Sequence, residues 1–123
     1  MNITGFGNLA ARVNDIHSAT QYFRNLGLSV DGPVEWRGSL KADIDLGNVA
    51  LTLFSEAIYE KDGVSTPEEG FLHLALFTDD LRSALEGQEL EWGPAEVEGS
   101  FGKRRIAFVK GPGIRIELME QLD

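Results

Sequence analysis

The chain has 123 residues, 42% of them hydrophobic and 25% charged, values of a folded globular domain rather than a disordered segment, and one domain fills this length. It has no cysteine, which excludes disulfides, thiolate metal sites and a cysteine nucleophile. Its net charge of −9 gives a field that repels phosphate backbones, so nucleic acid is not an expected partner.

The first residues, Met1-Asn2-Ile3-Thr4-Gly5, show no basic segment followed by an apolar run, so no signal peptide is expected. No apolar stretch approaches the roughly 20 residues of a membrane helix, and the expected location is the cytoplasm. Leu9 to Val13 alternates as a short strand. Asn14-Asp15 then offers helix caps, and an amphipathic helix runs from Ile16 to Leu26 and stops at Gly27. Strands follow near Leu28–Trp36, Leu40–Leu46 and Val49–Ser55, with Gly47-Asn48 turning between the last two. The segment Glu56 to Gly70 is polar, acidic and proline-containing, and reads as a linker and a rim. A strand then covers Phe71–Phe77, Asp79 and Asp80 cap a helix from Leu81 to Glu86, and Gly87 ends it. Three more strands fall near Ala95–Ser100, Lys103–Lys110 and Ile114–Met119, with Gly111-Pro112-Gly113 as the final turn.

The second half repeats the first. Asn8-Leu9-Ala10 through Ala19 aligns with His73-Leu74-Ala75 through Ala84 at an offset of 65 (73 − 8), with Leu9/Leu74, Ala10/Ala75, Asp15/Asp80, Ser18/Ser83 and Ala19/Ala84 identical. The same offset lays Val49–Phe54 on Ile114–Met119 and Ala42 on Ala107. One offset serving both ends implies a duplicated unit. The first βαβββ unit occupies about residues 5–55, the linker 56–70, and the second unit about 71–120.

Strand alternation sorts the two faces. Leu9, Ala11, Val13, Leu51, Leu53, Leu74, Leu76, Ile114, Ile116 and Leu118 form an apolar face that must pack on the helices. The other face carries Asn8, Ala10, Arg12, Ala50, Thr52, Phe54, His73, Ala75, Phe77, Arg115, Glu117 and Met119. Convergent polar groups among apolar ones are the makings of a small-molecule site; the alternative is a solvated open sheet. Asn8, Thr52, Arg12, Phe54, Phe77, Arg115 and Met119 are therefore the candidate ligand-binding residues, and His73 with Glu117 the candidate catalytic pair. Arg115 and His73 are the candidate partners for Glu117. Trp36 and Trp92 are expected to pack, His17 to be solvated, and the basic cluster Gly102-Lys103-Arg104-Arg105 to be a solvated strand end.

Two βαβββ units, with Val-Asn-Asp-Ile and Thr-Asp-Asp-Leu after the first strand of each and a last strand reading Gly-Ile-Arg-Ile-Glu-Leu, resemble the glyoxalase/bleomycin-resistance (vicinal oxygen chelate) superfamily. The resemblance implies an α+β fold with a curved mixed sheet around a cleft, and often a homodimer. It implies a divalent metal (zinc, nickel, manganese or iron) held from the first and last strands of each half, which here are Asn8, Thr52, His73 and Glu117. His73 and Glu117 match that pattern; Asn8 stands where histidine is usual, and Thr52 where Glu, Gln or His is usual. Amide and hydroxyl are weak ligands and a catalytic metal has about three strong ones. The expectation is therefore a small-molecule-binding protein with a degraded metal site and no tightly bound metal. The alternative is a metal-dependent lyase or isomerase resembling glyoxalase I or methylmalonyl-CoA epimerase, with Asp43 or Asp45 completing the ligand set.

Overall fold

A computed structural model describes residues 3–123, which divide into two compact units. The strand β1 (Ile3–Arg12) is shared, with Asn8 onward belonging to the N-terminal unit and the residues before it to the C-terminal one. It starts six residues earlier than its alternation suggests, because Gly5 and Gly7 interrupt the apolar pattern without interrupting the strand.

In the N-terminal unit α1 (Ile16–Asn25) follows, then β2 (Ser29–Trp36), β3 (Ser39–Asp45) and β4 (Ala50–Phe54). The strand order is β2-β3-β4-β1, with β1 and β4 parallel and the other pairs antiparallel. The Asp15 side chain accepts a hydrogen bond from the Ser18 backbone N–H at 3.1 Å and so caps α1. The Ser18 N–H, and after it the Ser18 hydroxyl, hold the Asp15 carboxyl below its ordinary pKa. The helix ends as a Schellman turn, with Gly27 at φ +89° and the Leu28 N–H reaching the Phe23 carbonyl at 3.2 Å. Ile16, Ala19 and Phe23 present one face to Ala42, Ile44, Leu51 and Leu53, with Leu9, Ala11 and Val13 joining them. Burying one such aliphatic side chain stabilises by about 1.5–3 kcal/mol.

The C-terminal unit repeats the plan with β5 (Gly70–Thr78), α2 (Leu81–Ala84), β6 (Leu90–Gly99), β7 (Gly102–Lys110) and β8 (Arg115–Gln121), in the order β5-β8-β7-β6. Asp80 caps α2 by accepting from the Ser83 N–H at 3.2 Å, the same contact one repeat later. Leu81, Ala84, Ala107, Val109 and Leu118 form its core, with Leu76 and Ile116 against it. Ile114, expected on that apolar face, is 54% exposed, because the strand begins one residue later and Ile114 belongs to the turn.

Two features separate the repeats. The helix α2 is a single turn rather than a run to Glu86, and β6 and β7 form the longer hairpin. Both outer strands carry a Gly-Pro bulge, Gly32-Pro33 and Gly93-Pro94, at an offset of 61 (93 − 32). The second unit is thus four residues shorter after its helix and regains them in its hairpin, which is why the two ends share one offset. Gly32 and Gly93 have φ of +102° and +92° and lie against the backbone of Lys41–Ala42 and Ile106–Ala107. No helix among the described residues is long and apolar enough to cross a membrane.

Candidate functional site

The two units place their polar residues at equivalent positions. In the N-terminal unit Ala10 pairs with Thr52 across β1 and β4, so Asn8 sits two residues back on the same face. In the C-terminal unit Ala75 pairs with Glu117 across β5 and β8, and His73 sits two residues back. The third strand contributes the residue opposite, Asp43 across from Thr52 and Phe108 across from Glu117. The same offset of 65 relates Asp43 to Phe108 (108 − 43).

The N-terminal trio is joined by hydrogen bonds. Asn8 Nδ2 donates to Thr52 Oγ1 at 2.6 Å, Thr52 Oγ1 donates to Asp43 Oδ1 at 2.7 Å, and Lys41 Nζ donates to Asp43 Oδ2 at 3.3 Å. Asn8 and Thr52 are buried, whereas 27% of the Asp43 side chain is exposed. The Asn8 Oδ1 atom is buried and has no hydrogen-bond partner among the described residues.

The C-terminal trio is built on a close imidazole–carboxyl contact and a ring. His73 Nε2 lies 3.3 Å from Glu117 Oε1, and both side chains are buried. Polar groups that buried are costly unless matched, and the imidazole and the carboxyl group lie against each other. Phe108 meets the His73 ring edge-on with centroids 4.8 Å apart, and Trp92 meets Phe108 edge-on at 5.8 Å. The polar face is therefore buried at these four residues rather than solvated as an open sheet.

The remaining candidates make contacts of their own. The Arg12 guanidinium is taken up by Glu60 Oε1 (2.5 Å), the Glu68 carbonyl (2.7 Å) and Asn14 Oδ1 (3.2 Å), which tie the segment after β4 to the end of β1. That segment is anchored further by Ala57 and Tyr59, both buried. Arg115 Nε donates to Glu91 Oε1 at 2.8 Å, and His73 is the partner that meets Glu117. Met119 is fully buried, Phe54 packs on Trp36, and Phe77 meets Phe101 edge to face. Arg104 of the basic cluster is buried and lies over the Phe101 ring rather than standing as a solvated strand end. His17 is exposed, as expected. Lys41 and Phe108, which contact Asp43 and His73, were passed over in the sequence reading. The repeat offset applied to β3 and β7, as well as to β1 and β4, would have found Phe108.

The donor set does not fit a tightly held divalent metal. Thr52 and Asn8 are neutral, the Thr52 proton is committed to Asp43, and Asp43 is shared with the Lys41 ammonium. Asp45 is exposed and accepts from the Gly47 N–H. Among the described residues no three His, Cys, Asp or Glu side chains are grouped to hold a metal ion.

No family model matches the chain, and no curated protein matches it. Solved structures do. A hypothetical protein from Bacillus halodurans superposes with a TM-score of 0.72 at 18% identity, over 96% of this chain and 94% of that one. Methylmalonyl-CoA epimerase from Mycobacterium tuberculosis gives 0.69 at 20% identity, over 98% and 90%. A glyoxalase I mutant from Zea mays gives 0.69 at 20% identity over 97% of this chain, which spans 44% of that longer one. The chain has the vicinal oxygen chelate fold, α+β with two βαβββ units. Identity this low carries the fold alone and leaves the chemistry to the site.

Proposed function

We propose that this protein binds small organic molecules without a metal, with the Asn8–Thr52–Asp43 group as the polar recognition element of the N-terminal unit and the His73–Glu117 pair as that of the C-terminal unit, each taken by itself. The observation that carries the reading is the hydrogen-bond chain in the N-terminal unit. At the two positions where the resemblance calls for metal ligands, an amide and a hydroxyl bond to each other and to a carboxylate neutralised by Lys41. Such groups give a ligand direction and specificity, as the few polar groups of small-molecule pockets do. Within the C-terminal unit, Phe108 and Trp92 beside His73 suit a planar apolar body there.

A second reading, a metal-dependent lyase or isomerase resembling glyoxalase I or methylmalonyl-CoA epimerase, is favoured by one observation. His73 and Glu117, an imidazole and a carboxylate 3.3 Å apart, are good ligands and a competent proton-transfer pair.

Thermal-shift screening of EDTA-treated protein against small aromatic and polar compounds tests the choice. A compound that stabilises the metal-free protein, with the effect lost in Thr52→Val or His73→Ala, supports metal-free binding. Stabilisation seen only after adding a divalent metal overturns it.

A further inference from the structure

The hydrogen-bond chain in the N-terminal unit has a fixed direction, and the direction specifies a ligand chemistry. An ionised carboxylate only accepts hydrogen bonds, so Asp43 Oδ1 requires the Thr52 hydroxyl to donate to it. A hydroxyl has one proton. With that proton committed, Thr52 Oγ1 can only accept from Asn8. The Asn8 amide must therefore turn its NH₂ toward Thr52, and the choice between its oxygen and nitrogen, ambiguous for an isolated amide, is settled by the network. Lys41 Nζ donates to the far carboxylate oxygen at 3.3 Å, so that oxygen too is an acceptor. What remains at the end of the chain is Asn8 Oδ1, an acceptor, buried and without a hydrogen-bond partner among the described residues. Leaving such an acceptor unmatched is costly.

We infer that Asn8 Oδ1 is the acceptor for an N–H or O–H group of the bound small molecule, so that the site selects donor-bearing ligands and discriminates against isosteres with an acceptor at that position. The inference rests on the small-molecule reading above and adds the chemistry of the ligand's polar edge. Discrimination of this kind is strong because an acceptor placed against Oδ1 leaves two lone pairs facing each other, whereas a donor completes the chain from Lys41 through Asp43, Thr52 and Asn8.

Indole and benzofuran form a neutral, isosteric pair that differs only in a ring N–H against a ring oxygen. Their affinities are to be measured by heteronuclear NMR titration of the full chain, following the Asn8 side-chain NH₂ and the Thr52 amide. The expected result is that indole moves both resonances and binds roughly tenfold tighter than benzofuran or better. Thr52→Val removes the hydroxyl that fixes the amide, frees Asn8 to rotate, and brings the ratio close to one. Thr52→Ser restores the hydroxyl and keeps the discrimination. Equal affinities in the native protein, or a ratio unchanged in Thr52→Val, overturn the inference. So does an ordered water on Asn8 Oδ1 that survives in a crystal soaked with indole. Failure of both probes to move Asn8 while another compound shifts His73 or Glu117 overturns the inference and leaves the small-molecule reading standing. Absence of any binding compound in the thermal-shift screen overturns the reading itself.

Discussion

Thr52→Val is the most informative single change in the N-terminal unit. It preserves shape and removes one hydroxyl that serves two neighbours, the donor Asn8 Nδ2 at 2.6 Å and the acceptor Asp43 Oδ1 at 2.7 Å. The Asn8 amide is buried, and stranding its NH₂ costs about 1–3 kcal/mol. Asp43 has 27% of its side chain exposed, so water replaces part of its loss, leaving roughly 0.5–1.5 kcal/mol there. The sum is about 1.5–4.5 kcal/mol, and the extra methyl group returns about 0.8, leaving about 0.7–3.7 kcal/mol. Unfolding entropy of about 2.1 cal/mol/K per residue makes that a fall in Tm of roughly 3–14 °C for a chain this long. The double change Asn8→Leu/Thr52→Val removes the amide that the single change strands, together with the unmatched Oδ1. It is therefore expected to be more stable than Thr52→Val alone, with only the Asp43 loss of about 0.5–1.5 kcal/mol remaining. Urea unfolding of native, single and double variants with a common m-value gives the coupling. A single-variant loss below about 0.5 kcal/mol, or a double variant less stable than the single, would refute the chain as drawn.

Three further outcomes follow from other contacts. Gly93→Ala forces a Cβ to 2.8 Å from the Ile106 carbonyl at a φ of +92°, and is expected to cost roughly 2–4 kcal/mol in urea unfolding, with Gly32→Ala behaving alike. Arg12→Ala cuts the links to Glu60, Asn14 and Glu68, so amide exchange across residues 60–69 should speed up roughly three- to tenfold while α1 stays protected. The Asp15 carboxyl titrates lower when folded than unfolded, so its charged form stabilises the fold above the unfolded pKa and that contribution is lost as pH falls through the folded one. The stability difference between the native protein and Asp15→Ala should thus shrink below about pH 4 in acid titrations followed by circular dichroism, and a difference that grows there would contradict the cap.

Much of this was legible in the residues because period and punctuation agreed. Asp15 and Asp80, one repeat apart, each cap a helix through the serine three residues on. The apolar faces Leu9–Val13 and Leu51–Leu53 pack as their alternation dictates. The first outer strand was read correctly through its Gly32-Pro33 bulge, but the second was started at Ala95 rather than Leu90, because Gly93-Pro94 breaks the alternation with a bulge that shifts register without ending the strand. The short α2 was overextended because Leu85 and Glu86 continue a helical pattern that only the following turn cancels. Alternation placed Asn8, Thr52, His73 and Glu117 on one face, and these four residues are buried rather than solvated. It could not show that Arg12 serves the segment after β4, because Glu60 and Glu68 are far away in sequence. Nor could it show that Asp43 meets Thr52, a contact fixed by the β3–β4 register.

The central claim, that hydrogen bonding has taken the place of metal coordination, is tested most directly by the metal content of protein purified without chelator. Far less than one equivalent of zinc, nickel, manganese or iron per chain is expected, with no change in that content on substituting His73 by alanine. One tightly held metal per chain in the native protein, absent from His73→Ala, would contradict it and make the lyase or isomerase reading the one to pursue.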